Sequence, residues 1–330
     1  METALFNDSQ RVHNNLSDRG LVIFTAPMQG YTEAVWRHYH SRIFGGADRY
    51  FTPFVRCEHG APRPRDIKDI SSHLNCGCQV TPQIIFRDEQ EFRTLTEAVT
   101  EAGYTDIDLN LGCPFTPQVR KGRGAGMLVR HDVLCRIRDL MISMPDVTFS
   151  LKMRPGIDDR HQWRDIMDTV NSMPLAHVTI HPRISSAGYS GEPDLDIFRQ
   201  MTAALRHPVI YNGDLRTPDD ITRITAQTDN LKGVMIGRGL LSAPWLAREW
   251  RCGTTLPHDK RLTLLKQLHD SIYRHYRDTL CGDSQILSKI KPFWEYLEPT
   301  IGHKAYKAIG KAPSLARYET ATAAAFDSIG

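Results

Sequence analysis

From Leu21 to about Gly239, short apolar runs alternate with longer stretches in which apolar positions recur every three or four residues. The first pattern is that of strands buried on both faces and the second that of amphipathic helices. It predicts strands at Leu21–Ala26, Tyr50–Val55, Val80–Phe86, Asp106–Leu109, Thr148–Lys152, His177–His181, Pro208–Tyr211 and Gly233–Ile236. Helices are predicted between them near Glu33–Phe44, Asp88–Ala102, Asp132–Ser143, Trp163–Ser172, Leu195–Leu205 and Pro218–Thr228. Asp88 and the Thr217-Pro218 pair have the chemistry of helix starts, and Gly103 that of a stop. The segment from His59 to Gly77 is irregular, with room for one short helix. Eight strands and their helices over roughly 220 residues fit a parallel (β/α)8 TIM barrel of the α/β class, usually about 250 residues long. A doubly wound open sheet is the runner-up, but no Gly-x-Gly-x-x-Gly turn follows the first strand.

From Pro257 the pattern becomes all-helical. Leu262–Arg277 carries apolar residues at Leu264, Leu265, Leu268, Ile272, Tyr273 and Tyr276, followed by Ile286–Leu297, interrupted by Pro292, and Leu315–Phe326. An appendage of this size has little core of its own and is expected to pack on the barrel. Lys289 and Lys291 add to the local charge, and Lys304, Lys307 and Lys311, three and four apart, share one helical face if that stretch is helical. The opening residues, 1–20, are polar, carry both charge signs and lack the apolar centre of a signal peptide, so a flexible tail is expected. The expected division is therefore tail 1–20, barrel 21–256 and helical domain 257–330.

Composition narrows the class. A chain of 330 residues with 41% hydrophobic content can bury one large core and a small accessory unit. Seven cysteines without regular spacing point to a reducing compartment, and no apolar run is long enough to span a bilayer, so a cytoplasmic protein is expected. The net charge of +3 lies entirely beyond residue 256, where 11 Lys/Arg face 8 Asp/Glu. That suits a phosphate-rich partner, and a solvated helical surface accounts for it equally well. His73, Cys76 and Cys78, with Cys57 and His59 upstream, have a Cys-x-Cys spacing too tight for a zinc site, so no metal is expected.

The candidate chemistry sits at the strand ends, where barrels of this kind build their sites. In order these are Ala26-Pro27-Met28, Gln83, Asn110, Lys152, His181, Asn212-Gly213-Asp214 and Gly237-Arg238-Gly239. A lysine closing the strand Phe149-Ser150-Leu151 needs a partner or a ligand, because an unpaired buried charge is costly. His181 on its own would read as a satisfied core histidine; paired with Lys152 it suggests an anionic or electron-rich ligand. Small residues after strands seven and eight, with Arg238 beside them, suit a phosphate. After the fourth strand comes Asn110-Leu-Gly-Cys113-Pro114, then the basic, glycine-rich Lys121-Gly-Arg-Gly124-Ala-Gly126. A lone cysteine at a strand end is usually structural, and its polar neighbours on the other strand ends are what favour chemistry.

Taken in this order and spacing, these motifs, with Leu-Lys-Met-Arg at 151–154, Ile-His-Pro-Arg at 180–183, Tyr189 and Gly191, resemble the dihydrouridine synthases, flavin enzymes that reduce uridines in tRNA. The resemblance implies a barrel holding FMN, recharged by NADPH. Pro27, Met28, Gln83, Asn110, Lys152 and His181 would face the flavin ring or its ribityl chain, and Asn212, Gly213, Asp214, Gly237 and Arg238 its phosphate end. Cys113 matches the catalytic cysteine. Reduced flavin gives a hydride to uridine C6, and the thiol, with an ordinary pKa of about 8.5 and so protonated at neutral pH, protonates C5. Lys152 would stabilise the anionic reduced ring. The uridine must leave its stack to be reached, and Arg154, Arg183 and Tyr189 would grip it. The helical domain would hold the tRNA body. Ile-Lys-x-x-x-x-Tyr-Leu at 290–297 looks closest to the subgroup acting on D-loop position 16.

The chain departs from the family pattern in three places: Glu33 stands where Asp is common, Pro182 interrupts a usual His-Gly-Arg, and Phe115-Thr116-Pro117 replaces Ser/Thr-x-Lys. The competing readings are an FMN barrel oxidoreductase acting on a small molecule, and a tRNA-binding protein whose catalysis has lapsed. The basic helical domain favours the tRNA enzyme over the first; Cys113, Lys152 and His181, all present, favour it over the second.

Overall fold

The computed structural model describes residues 20–228 and 231–329, so the tail expected at 1–20 lies, but for Gly20, outside the described residues. Eleven strands form one continuous sheet: β1 Val22–Thr25, β2 Arg49–Phe51, β3 Val55–Glu58, β4 Ala61–Pro62, β5 Val80–Thr81, β6 Gln83–Ile85, β7 Asp106–Leu111, β8 Thr148–Met153, β9 Leu175–Ile180, β10 Val209–Tyr211 and β11 Leu231–Ile236. All pair in parallel except the short β3–β4 hairpin.

The sheet closes on itself. The second and third barrel positions are each a strand in two pieces: β2 pairs with β5 and β3 with β6, while β6 pairs onward with β7. Pro82 causes one break, since it has no N–H to give the ladder. At the other break the Thr52 hydroxyl accepts from the Gln83 N–H, which the interruption would otherwise leave unpaired. The circuit then runs from β7 through β11 to β1. At the β11–β1 seam Gly233 faces Val22, where a Cβ would come within 2.1 Å of the Val22 carbonyl oxygen.

Helices flank the strands as their amphipathic patterns predict, with Asp88 accepting from the Glu91 N–H and Thr217 forming a reciprocal capping box with Asp220. Gly103, at φ 91°, ends the Glu89–Glu101 helix. Trp163–Ser172 differs from a single helix: it opens as a 3-10 turn, Gln162–Ile166, before Met167–Ser172. The irregular segment holds one helix, Pro64–Ile70, and a 3-10 turn, His73–Asn75.

Beyond the barrel lie helices His258–Thr279, Asp283–Ile290, Glu298–Ile301, His303–Lys311 and Leu315–Ile329. Pro292 does break the second predicted helix, converting Lys291–Leu297 to 3-10. The core of this segment is a hydrogen-bonded aromatic cluster in which Trp294 Nε1 donates to the Tyr318 hydroxyl at 2.9 Å, which in turn meets His269 Nε2 at 2.8 Å. Its attachment to the barrel is apolar and ionic. His258–Thr279 packs on the barrel helix Ala34–Ile43, and Lys289 donates to Glu33 at 2.6 Å. Glu33 is also paired with Arg65. Burial pushes its carboxyl up, but these two cations outweigh burial and leave it below the ordinary range. Among the described residues no helix is long and apolar enough to cross a membrane.

Candidate active site

Alternation along the barrel strands sends every second side chain inward. The inward face holds Phe24, Phe51, Ile210 and Met235 as apolar filling. Near the C-terminal rim it turns polar. Above that rim opens a cleft of about 750 Å³, within the usual range for a cofactor or substrate site.

Most of the residues that the sequence singles out line this cleft. Pro27 and Met28, after β1, form one wall together with Tyr31. Asn110 and Cys113 reach it from the end of β7, Lys152 and Arg154 from β8, and His181 and Tyr189 from beyond β9. Asn212, Gly213 and Asp214 follow β10, and Gly237 and Arg238 follow β11. Two expected residues do not reach the cleft. Gln83 is fully buried below the floor, where its side chain meets Asp108 and Asn110. Arg183 is also buried, tied to Asp214 at 2.7 Å and to the Gly191 carbonyl at 2.5 Å. Its guanidinium holds up the wall and does not present itself to a ligand in the cleft.

Cys113 stands at the rim because the chain around it leaves no alternative. Its N–H donates to Asn110 Oδ1 at 2.8 Å, and its carbonyl accepts from the Ala125 N–H at 3.1 Å. Gly124, at φ 58°, lies so close that a Cβ there would be 2.8 Å from the Cys113 Cβ. The glycine-rich stretch thus packs against the cysteine. Its arginine, Arg123, is buried in an ion pair with Glu91 at 2.5 Å, so it is structural. Burial pushes the Cys113 thiol up, against the opposing pull of the Phe115 backbone and of Arg154 and Lys152. It is therefore a protonated thiol at neutral pH, fit to give a proton.

The surrounding field is positive. Burial, with Arg154 adding to it, lowers Lys152 to about 7, and its Nζ donates to Asn212 Oδ1 at 2.6 Å. Asn212 is itself fixed by donating to the Met235 carbonyl at 2.8 Å. Burial, then Arg154 and Lys152, hold His181 well below the ordinary imidazole value. His181 is neutral, and since its Nε2 accepts from Arg183 at 3.2 Å, its proton belongs on Nδ1. Asp214 accepts from Arg183 on both oxygens and from Arg238 at 2.5 Å, which places Arg238 at the cleft edge. Arg238 also lies over the ring of Tyr189, 4.5 Å from its centroid, with Arg154 at 5.7 Å. Tyr189 itself is half exposed on the cleft wall.

Other residues of the site carry a weaker sequence signal. Asp108 and Ser150 sit inside the barrel below Gln83, joined by a 2.6 Å hydrogen bond. Their inward alternation with Asn110 and Lys152 is the signal that could have found them. Phe115, one of the departures from the family pattern, is 59% exposed at the cleft wall. Tyr296 comes from the helical segment and packs on Tyr31 at 5.2 Å between ring centroids, with the Tyr31 hydroxyl donating to Glu295 at 2.5 Å. That meeting spans 264 residues and leaves no local signal. Among the described residues no three His, Cys, Asp or Glu side chains converge as a metal site requires.

Fold and cleft together define a parallel β/α barrel with a polar, cation-rich cleft on its C-terminal rim. The fold is shared with histamine dehydrogenase from Rhizobium sp. 4-9, at a TM-score of 0.52 and 13% identity over 74% of this chain and 48% of that one. The profile of the dihydrouridine synthase family matches residues 24–309, and the chain belongs to that family. Among relatives, tRNA-dihydrouridine synthase B of Pasteurella multocida (strain Pm70) is 29% identical over 228 residues, 68% of each chain. A probable tRNA-dihydrouridine synthase of Staphylococcus aureus (strain COL) is 29% identical over 261 residues, 76% of this chain and 77% of that one.

Proposed function

We propose that the protein is a tRNA-dihydrouridine synthase that reduces the C5=C6 bond of a D-loop uridine, with FMN as cofactor, NADPH as reductant and Cys113 as proton donor. The observation that carries this reading is the placement of Cys113, Lys152 and neutral His181 on one cleft at three strand ends. The donor set suits a flavin. Among the described residues no carboxylate is hydrogen-bonded to Lys152 at the cleft floor, and Arg238 is held at the edge by Asp214. Gly237 leaves open a place where a Cβ would crowd Met28 Sδ at 3.3 Å.

In this reading Pro27, Met28, Asn110, Lys152 and His181 border the flavin ring, with Gln83 acting from beneath through Asn110. Asn212, Gly213, Gly237 and Arg238 take the phosphate, and Asp214 orients Arg238. When bound, the reduced cofactor supplies the hydride. The protein's own part is to deliver a proton from Cys113 Sγ to C5 as negative charge develops there. Lys152 supplies a preorganised positive charge at the floor. The base enters only after leaving its stack; Tyr189, backed by Arg154 and Arg238, offers it or its neighbour an aromatic face. Arg183 supports that wall.

Residues 257–330 serve as the tRNA-docking domain on the barrel of 21–256. Lys304, Lys307 and Lys311 are exposed on one helix, and Tyr296 brings this segment to the cleft mouth. Acting on tRNA implies a cytoplasmic setting. Membership of the family tells against the small-molecule alternative.

Purified protein is expected to be yellow, with the absorbance of FMN. A colourless preparation that takes up no added FMN contradicts the reading.

A further inference from the structure

A buried carboxylate is an expensive way to fill a barrel that elsewhere uses Phe24, Phe51, Ile210 and Met235. Asp108, in the middle of β7, is completely enclosed. An apolar residue of its size would pack there without the desolvation cost, so its oxygens need a reason.

Both oxygens are engaged. Oδ1 accepts from Ser150 Oγ and Oδ2 from Gln83 Nε2, each at 2.6 Å. Once Gln83 gives its amide N–H to the carboxylate, its Oε1 must face the other way. There it accepts from Asn110 Nδ2 at 2.7 Å. Asn110 is then turned with Oδ1 towards the catalytic turn, where it accepts from the N–H groups of Gly112 at 3.1 Å and Cys113 at 2.8 Å. Each amide in the chain could in principle be flipped end for end. Here the orientation is fixed from both ends, by a group that only accepts and by two backbone groups that only donate.

We propose that Asp108 is a positioning residue for the reaction: through Gln83 and Asn110 it fixes the Gly112–Cys113 peptide, and with it the thiol, at the rim of the cleft. The inference rests on the reading of Cys113 as proton donor. A role as counter-ion to Lys152 does not account for the arrangement. Among the described residues the two form no ion pair, and the lysine's Nζ is turned to Asn212. Fully satisfied buried networks of this kind rigidify the groups at their ends.

The test uses the full-length, FMN-loaded protein carrying Asp108→Ala or Asp108→Asn. The Asn side chain still offers an oxygen to Gln83 Nε2, and Ser150 Oγ can turn to accept from its amide. In the Ala variant the Gly112 and Cys113 amides should exchange hydrogen about tenfold faster, the scale of one missing hydrogen bond. Turnover should fall on the order of 10²-fold with KM for tRNA unchanged, as expected of a misplaced reactive group. Asp108→Asn should restore both to near wild type, whereas Asp108→Leu, which fills the space without offering Gln83 an acceptor, should stay as impaired as Ala; rescue by Leu would mark a packing effect and overturn the proposal. Unchanged exchange at 112–113 in the Ala variant, or an Asn variant as impaired as Ala, overturns the proposal. If Asp108→Ala does not fold, Gln83→Leu breaks the same chain one link higher and is read by the same exchange measurement. Exchange is followed without tRNA, so the two failures separate. Unchanged exchange in a variant of an active enzyme removes only the positioning role, whereas a wild-type protein that makes no dihydrouridine removes the functional reading and this role with it.

Discussion

Lys152 on β8 donates a 2.6 Å hydrogen bond to Asn212, which follows β10, across the mouth of the barrel. The lysine is thereby held by a neutral amide. Burial, then Arg154, lowers its pKa to about 7 against the opposing charge of Asp108. Its charge is present below that value and lost as pH rises through it. The anionic reduced ring beside it favours the charged form, so reduced FMN, held anaerobically, should take up a proton at Lys152 on binding above pH 7 and bind more weakly at pH 8 than at pH 6, effects the neutral oxidised ring should not show. Calorimetry in two buffers of different ionisation enthalpy reads both effects. Lys152→Met should abolish the proton uptake, and pH-independent binding of reduced FMN by the wild type would contradict this role.

Gly124 and Cys113 are interlocked by backbone. Gly124→Ala adds a Cβ in the left-handed region, at φ 58°, and drives it to 2.8 Å from the Cys113 Cβ and 2.9 Å from its carbonyl oxygen. The expected cost is about 1–3 kcal/mol, measured as a lower denaturant midpoint at unchanged slope. Gly122→Ala makes the comparison, since its Cβ, at φ 72°, would meet only the flexible Arg130 side chain. It should cost less. Equal midpoints for the two variants would show that packing against Cys113 carries no weight.

The lysines of helix His303–Lys311 test the proposed docking surface without touching the barrel. Replacing Lys304, Lys307 and Lys311 with Gln should weaken tRNA binding. It should also flatten the salt dependence by up to about 0.9 log unit per log salt for each phosphate that is no longer neutralised. The flavin spectrum should not change. An unchanged salt slope would place the tRNA elsewhere.

The barrel is legible in the sequence because parallel strands buried on both faces leave an apolar signature, and because their C-terminal ends carry the polar exceptions. Cys113, Lys152, His181 and Arg238 stand out for that second reason. Pro82 and the Thr52 break split two strands that the apolar pattern carries straight through. Arg183 has the chemistry of a substrate grip, but its partner Asp214, 31 residues on, turns it into a wall support. Asp108 is inconspicuous, since one acidic residue inside a strand gains meaning only with Gln83 and Ser150 on either side of it. Tyr296 lies beyond the reach of any local pattern, as its place depends on how the helical segment docks against Tyr31 and Glu33.

The decisive measurement is dihydrouridine formation, by mass spectrometry, on unmodified tRNA incubated with FMN-loaded protein and NADPH. The wild type should convert a D-loop uridine. Cys113→Ala, still binding FMN and tRNA, should do so some 10²- to 10⁴-fold more slowly, the usual contribution of a general acid. No dihydrouridine from the wild type, or equal rates from the two proteins, would contradict the assignment of Cys113 as the proton donor of a tRNA-uridine reductase.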